Sequence, residues 1–133
     1  MAAKYNKIKI TEEYLNADPN AFFVYGDNLQ RQGNSGSSIL RGHPRSIGFV
    51  TRKAPQGVSG CTFKPHEYIS QFFGSLKQLE EHVGKNPART FYISKLGAGK
   101  ANKYYIWELI IKPNLTTELG KYSNVIFCWS ENE

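Results

Sequence analysis

Four short stretches, each almost continuously apolar, β-branched or aromatic, constrain this chain more than any other feature. They are Phe22-Phe23-Val24-Tyr25, Ile47-Gly48-Phe49-Val50-Thr51, Thr90-Phe91-Tyr92-Ile93-Ser94 and Asn124-Val125-Ile126-Phe127-Cys128-Trp129. None alternates apolar with polar residues, so they match strands covered on both faces rather than strands with one wet face. Helical spacings lie between them. From Glu67 to Val83 the residues Ile69, Phe72, Phe73, Leu76, Leu79 and Val83 recur every three or four positions, with Pro65 suited to the first turn. A second pattern, Tyr104, Trp107, Ile110 and Ile111, follows Asn102 and is predicted to be interrupted at Pro113, with Leu115 and Leu119 forming a further turn or short helix before Gly120. Thr11 with Glu12 and Glu13 predicts a short helix near the start, after an edge strand at Lys7 to Ile10. Strands alternating with helices predict the α/β class: a three-layer α/β/α sandwich with a mostly parallel or mixed central sheet.

At 133 residues the chain has the length of one domain, expected over 1–133, and it carries no repeat, low-complexity tract or linker that would divide it. Aromatic residues make up 14%, too much apolar surface for a disordered chain. No run approaches the roughly 18 apolar residues of a membrane span, and Met1 to Lys7 lacks the apolar stretch of a signal peptide, so no membrane partner and a cytoplasmic location are expected. Two cysteines, Cys61 and Cys128, and three scattered histidines show no zinc-ligand spacing, and no metal or cofactor is expected. The net charge of +6 favours anionic partners without choosing among nucleic acid, nucleotide and phosphorylated metabolite.

Chemistry concentrates at two strand ends. The first runs Val24-Tyr25-Gly26-Asp27-Asn28 into Gly33-Asn34-Ser35-Gly36-Ser37-Ser38, with a helix predicted from about Ser37. A glycine- and serine-rich turn leaves backbone N–H groups free, and with a helix start behind it forms a cradle for phosphate. Asp27 and Asn28, at the strand end, are placed to accept from or donate to a ligand; the bland alternative is that they cap the turn. The spacing matches neither the Walker loop nor the dinucleotide fingerprint. The second turn, Ile93-Ser94-Lys95-Leu96-Gly97-Ala98-Gly99-Lys100, is again a strand running into Gly-x-Gly. In a parallel sheet both turns emerge on one edge, so two cradles can face one diphosphate, with Lys95 or Lys100 adding charge.

Other side chains carry weaker signals. Thr51, Arg52 and Lys53 form a third strand end, where a lysine in a dry cleft could act in proton transfer; a basic loop edge is the plainer reading. His43 is a potential base near the first loop, although lone histidines are more often structural. Tyr104, Tyr105 and Trp107 offer a stacking face for a base or a contribution to the core. The glutamates form no close pair suited to glycosidase chemistry. The irregular stretch from Pro55 to Lys64 is predicted to be a long loop, often a sign of function.

The order of these features resembles the macro domain family, with Gly26-Asp27-Asn28, Gly33 and Gly36-Ser37-Ser38-Ile39 similar to its first ligand loop and Ile93 to Gly99 similar to its second. The resemblance runs from Phe22 to Trp129 and is nearest to small macro-like proteins of phages and bacteria, whose strand ends in a Phe-Val-Phe-Gly-Asp/Ser-Asn type of motif. The family's run of three adjacent glycines is replaced here by Gly33-Asn34-Ser35-Gly36. The resemblance implies a macro-like fold and a cleft for ADP-ribose or a related nucleotide, serving as a reader or sponge or as an ADP-ribosyl hydrolase acting on an ADP-ribosylated substrate. It implies Asp27 and Asn28 on the adenosine or distal ribose side of the ligand, and a hydrolase would have Asp27, Asn28 or Lys53 as catalytic candidates to orient or activate a water there. It also implies Gly33, Gly36 and Ser37 in the first phosphate loop and Gly97, Ala98 and Gly99 at the diphosphate, while Gly26, Ser38, Thr51 and Lys100 are further ligand-binding candidates from their places beside these turns and strand ends. A phage origin would place the protein in the host cytoplasm. The alternative is a small basic nucleic-acid-binding protein that tolerates alanine at Asp27 and Asn28, and a third reading is an interaction protein with an empty cleft.

Overall fold

A computed structural model describes residues 2–34 and 36–133; Ser35 of the first glycine loop lies outside the described residues. Four strands, β1 (Ala21–Asn28), β2 (Ser46–Arg52), β3 (Thr90–Ile93) and β4 (Val125–Phe127), form one sheet in the order β2-β1-β3-β4, every pairing parallel. The near-continuous apolar runs have the reason expected for them. Val24, Phe91, Ile93, Val125 and Phe127 point into one core cluster, while Phe23, Tyr25 and Tyr92 point into another on the opposite face.

The larger core is closed by α2 (Pro65–Lys85), whose Phe72, Leu76, Leu79 and Val83 are buried, and by α3 (Lys112–Leu119) with Leu115 and Leu119. The other face is covered by α1 (Glu12–Ala17), which Thr11 starts by accepting a hydrogen bond from the Tyr14 amide on its side chain, and by the N-terminal segment and Leu40. The chain is therefore an α/β fold with a parallel sheet between two layers. No helix is long and apolar enough to cross a membrane.

Several expectations are corrected. β1 does not stop at Tyr25 but runs through Asn28 alongside β2, with a register shift between Asp27 and Asn28. No strand forms at Lys7 to Ile10; instead Tyr5 makes an isolated bridge to Phe127. The helix predicted from Ser37 is only a single 3-10 turn, Gly36–Ser38, too short to present a helix dipole to a ligand. The short helix expected over Leu115 and Leu119 forms as α3, but it begins at Lys112, so the chain stays helical through Pro113 rather than being interrupted there. A π-helical turn, Trp107–Ile111, widens the backbone just before α3, and the Asn114 side chain donates to the Ile110 carbonyl at 2.7 Å, so the proline sits in the first turn of α3 at little cost.

Candidate functional site

The strand order creates the site. After β1 the chain leaves toward β2 on one side, and after β3 it leaves toward β4 on the other, so the carboxyl ends of β1 and β3 diverge. β1 pairs with β3 only from Ala21 to Val24, and the Ser94 amide makes the last contact, to the Val24 carbonyl at 3.0 Å. Beyond that point β3 turns away while β1 continues beside β2. The gap is a cleft of about 380 Å³. Gly26 lies in it, Gly36 and Ser37 line one side, Gly97, Gly99 and Lys100 line another, and Thr51 and Arg52 of β2 complete it.

The two glycine turns thus flank one space. Gly36 and Gly97 both have φ in the left-handed region, +58° and +74°, and at Gly97 an added Cβ would also meet Ile111 Cδ1 at 2.6 Å. The Gly97 and Gly99 amides donate to no acceptor among the described residues, which leaves N–H groups available to an anion. Arg52 adds charge. Its Nη1 is fixed by Gln56 Oε1 at 2.6 Å, and its Nε is buried without a hydrogen-bond partner among the described residues. Lys95 also lines the cleft but shares its charge with Glu133 at 3.2 Å. The Ser37 hydroxyl donates to the Gly26 carbonyl at 3.1 Å and the Thr51 hydroxyl to the Asp27 carbonyl at 3.3 Å, so both tie the loop and β2 to β1.

Against the same rim lies an apolar lobe of about 630 Å³, where Ile8, Ile10, Phe23 and Ile39 meet Ser94, Lys95 and Gly99. Cys128 is also on its wall, and burial pushes its thiol up to about 12. The site therefore has a polar, cationic half and an apolar half joined at Gly36, Ser37, Ser94, Lys95 and Gly99.

The three catalytic candidates fall elsewhere. Asp27 is 1% exposed and does not line the cleft. Its carboxylate accepts from Arg41, from Arg31 at 2.9 Å and from the Asn28 amide at 2.8 Å. Burial alone would raise its pKa, but the Arg41 and Arg31 hydrogen bonds and the Asn28 amide outweigh burial and hold it below the usual carboxylate range. The Asn28 side chain folds back on Gln32, donating to its carbonyl at 2.9 Å and accepting from its amide at 3.4 Å. Lys53 pairs with Glu67 at 2.8 Å in a neighbouring groove.

The remaining predictions divide in the same way. Gly33 is outside the cleft, and its carbonyl accepts from Arg41 Nε. Ser38 is buried in the 3-10 turn and Ala98 packs against the larger core. His43 is occupied by Asn16 Oδ1 at 2.9 Å and the Arg45 amide at 3.0 Å, away from the cleft. Trp107 is core, edge-on to Trp129 at 5.1 Å, whereas Tyr105 is 65% exposed.

Ser94 and Gln56 line the cleft and were not anticipated. Ser94 had a readable signal, as the first residue past a strand on the ligand edge. Gln56 had none beyond its place in the irregular Pro55 to Lys64 stretch. Among the described residues, no three His, Cys, Asp or Glu side chains come together to hold a metal.

The sequence of residues 5–102, which contains both cleft-forming turns, matches the model of a family of unknown function, DUF7831. The chain belongs to the DUF7831 family. No curated protein and no solved structure matches it. The matched DUF7831 region holds β1, β2, α2, β3 and the second glycine turn, and ends at Asn102, the last residue of the 3-10 turn that follows.

Proposed function

We propose that this protein binds the diphosphate of a nucleotide, ADP-ribose or a close relative, in the cleft between its two glycine turns, in the manner of a macro-like domain. The observation that carries the reading is that Gly36 and Gly97, sixty-one positions apart (97 − 36), line one cleft at the point where the sheet's connections reverse. Backbone amides at Gly97 and Gly99, the Arg52 guanidinium and Lys100 supply donors and positive charge suited to two linked phosphates. The adjoining apolar lobe suits a flat base.

Binding fits better than hydrolysis. Among the described residues the cleft is lined by no carboxylate and no imidazole, and Asp27, Asn28 and Lys53 are engaged with protein groups, so no general base faces the bound nucleotide. A reader or sponge needs none. Two unbridged thiols fit a reducing compartment, and the proposal includes the cytoplasm, or the host cytoplasm for a phage-encoded chain.

Titration calorimetry with ADP-ribose tests this reading directly. The wild-type chain is expected to release heat with a saturable isotherm, and Ser37→Tyr, which fills the cleft, and Arg52→Ala, which removes its guanidinium, to weaken binding at least about tenfold. No heat from ADP-ribose, ADP and NAD alike would overturn it.

A further inference from the structure

We propose that a second groove, beside the cleft and continuous with it, binds the sugar-phosphate backbone of a single-stranded nucleic acid. The groove measures about 560 Å³ and runs between the loop after β2 and the segment around Lys100 to Tyr104. Gln56 and Lys100 belong to both spaces.

Four lysines from three parts of the chain line it: Lys53 at the end of β2, Lys64 just before α2, and Lys100 and Lys103 after the second glycine turn. One acidic residue, Glu67, faces them. Its carboxylate is engaged by Lys53 at 2.8 Å and by the Lys64 amide at 2.9 Å, so it neutralises Lys53 and caps α2. Lys64, Lys100 and Lys103 form no ion pair among the described residues, and three uncompensated ammonium groups around one recess attract a polyanion.

Two of these charges are held in place. The Tyr104 ring has Lys103 Nζ at 5.4 Å from its centroid and Lys64 Nζ at 5.8 Å, which restricts both side chains to the groove wall. The Tyr104 ring, set in the groove wall among the lysines, favours a nucleic-acid strand over an acidic peptide, because bases stack on such rings while carboxylate side chains do not. The loop opposite turns on Gly57 and Gly60, where an added Cβ would meet nothing within 4 Å, so the backbone there is open to a close approach.

Fluorescence anisotropy of a labelled oligothymidine of about ten nucleotides, titrated with the full chain at several salt concentrations, tests the groove. The strand is expected to bind with an affinity that falls with salt. Replacing both exposed lysines, Lys64→Ala with Lys103→Ala, is expected to weaken it at least about tenfold and to flatten the log–log salt slope by about 1.4, the share of two phosphates. Tyr104→Ala, which removes the ring from the groove wall and leaves all four lysines, is expected to weaken the strand several-fold. ADP-ribose binding should change less than about twofold in both variants, which also confirms folding. An unchanged strand affinity in the lysine double variant overturns the proposal, as does a polyglutamate peptide that competes as well as the strand. Lysine-dependent strand binding without any ADP-ribose binding supports the groove and overturns only the nucleotide reading of the cleft.

Discussion

Arg41 grips Asp27 end-on, Nη1 donating to Oδ2 at 2.9 Å and Nη2 to Oδ1, and carries the first glycine loop with it, since its Nη2 also donates to the Gln32 carbonyl at 3.1 Å and its Nε to the Gly33 carbonyl. A residue that sequence logic points toward a ligand is thus the anchor of the loop that lines the cleft. Arg31 completes the arrangement, bridging the same carboxylate to the Gly48 carbonyl at 3.1 Å.

Because Asp27 is fully enclosed, Asp27→Asn leaves two guanidinium groups facing a neutral amide. A loss of about 3 kcal/mol is expected, read as a fall of roughly 10 °C in the melting midpoint. A double-mutant cycle with Arg41→Met should return a coupling above about 1 kcal/mol, and additive effects of the two changes would contradict the anchoring role.

Acid should unfold the chain along the same contact. Asp27 is held below its ordinary pKa, so it contributes stability above about pH 4 that is lost as the pH falls through its folded value. Glu133 behaves alike: the Ser130 amide, with Lys7 and Lys95, holds it at about 2. Stability measured by urea titration is expected to fall steadily from about pH 4.5 toward pH 2, with a shallower slope in Glu133→Gln and in Asp27→Asn. Equal slopes in all three proteins would show that other carboxylates control the transition.

Close approach at two glycines gives a third test. At Gly48 an added Cβ would strike Asp27 Oδ2 and come within 2.8 Å of Arg31 Nη1; at Gly97 it would meet Ile111 under a positive φ. Gly48→Ala and Gly97→Ala are each expected to cost about 1–3 kcal/mol, whereas Gly74→Ala, on α2 with nothing within 4 Å, should stabilise by up to about 1 kcal/mol. Chemical denaturation of the three variants distinguishes them.

The thiols should be silent in the native protein. Burial raises Cys128 to about 12 and Cys61 is 8% exposed. Ellman's reagent at pH 8 is expected to react slowly or not at all until urea is added, when two thiols per chain should appear. Prompt reaction of Cys128 in the folded protein, identified in a Cys61→Ser variant, would mean that the apolar lobe opens.

Much of the architecture could be read from residue order. The four apolar runs became the four parallel strands, Glu67 to Val83 became the body of α2, and the Gly97 turn emerged beside Gly36, because burial on both faces and helical spacing leave marks at short range. The errors lie where long-range contacts override local preference. Pro113 reads as an interruption before a further turn or short helix, yet a π turn and the Asn114 amide keep the chain helical through it; the Ser37 stretch reads as a helix start, yet Ser37 instead donates to Gly26 and the helix does not propagate.

Local chemistry therefore specified the strands, the long helix and the two glycine turns, since each depends on neighbours within a few positions. Which side chains face a ligand was decided only by packing. Asp27 meets Arg41 fourteen positions away and Gly48 twenty-one away (48 − 27), contacts that close only when β1 and β2 pair, and that pairing turns its carboxylate inward while leaving Arg52 and the Gly97 amides at the cleft.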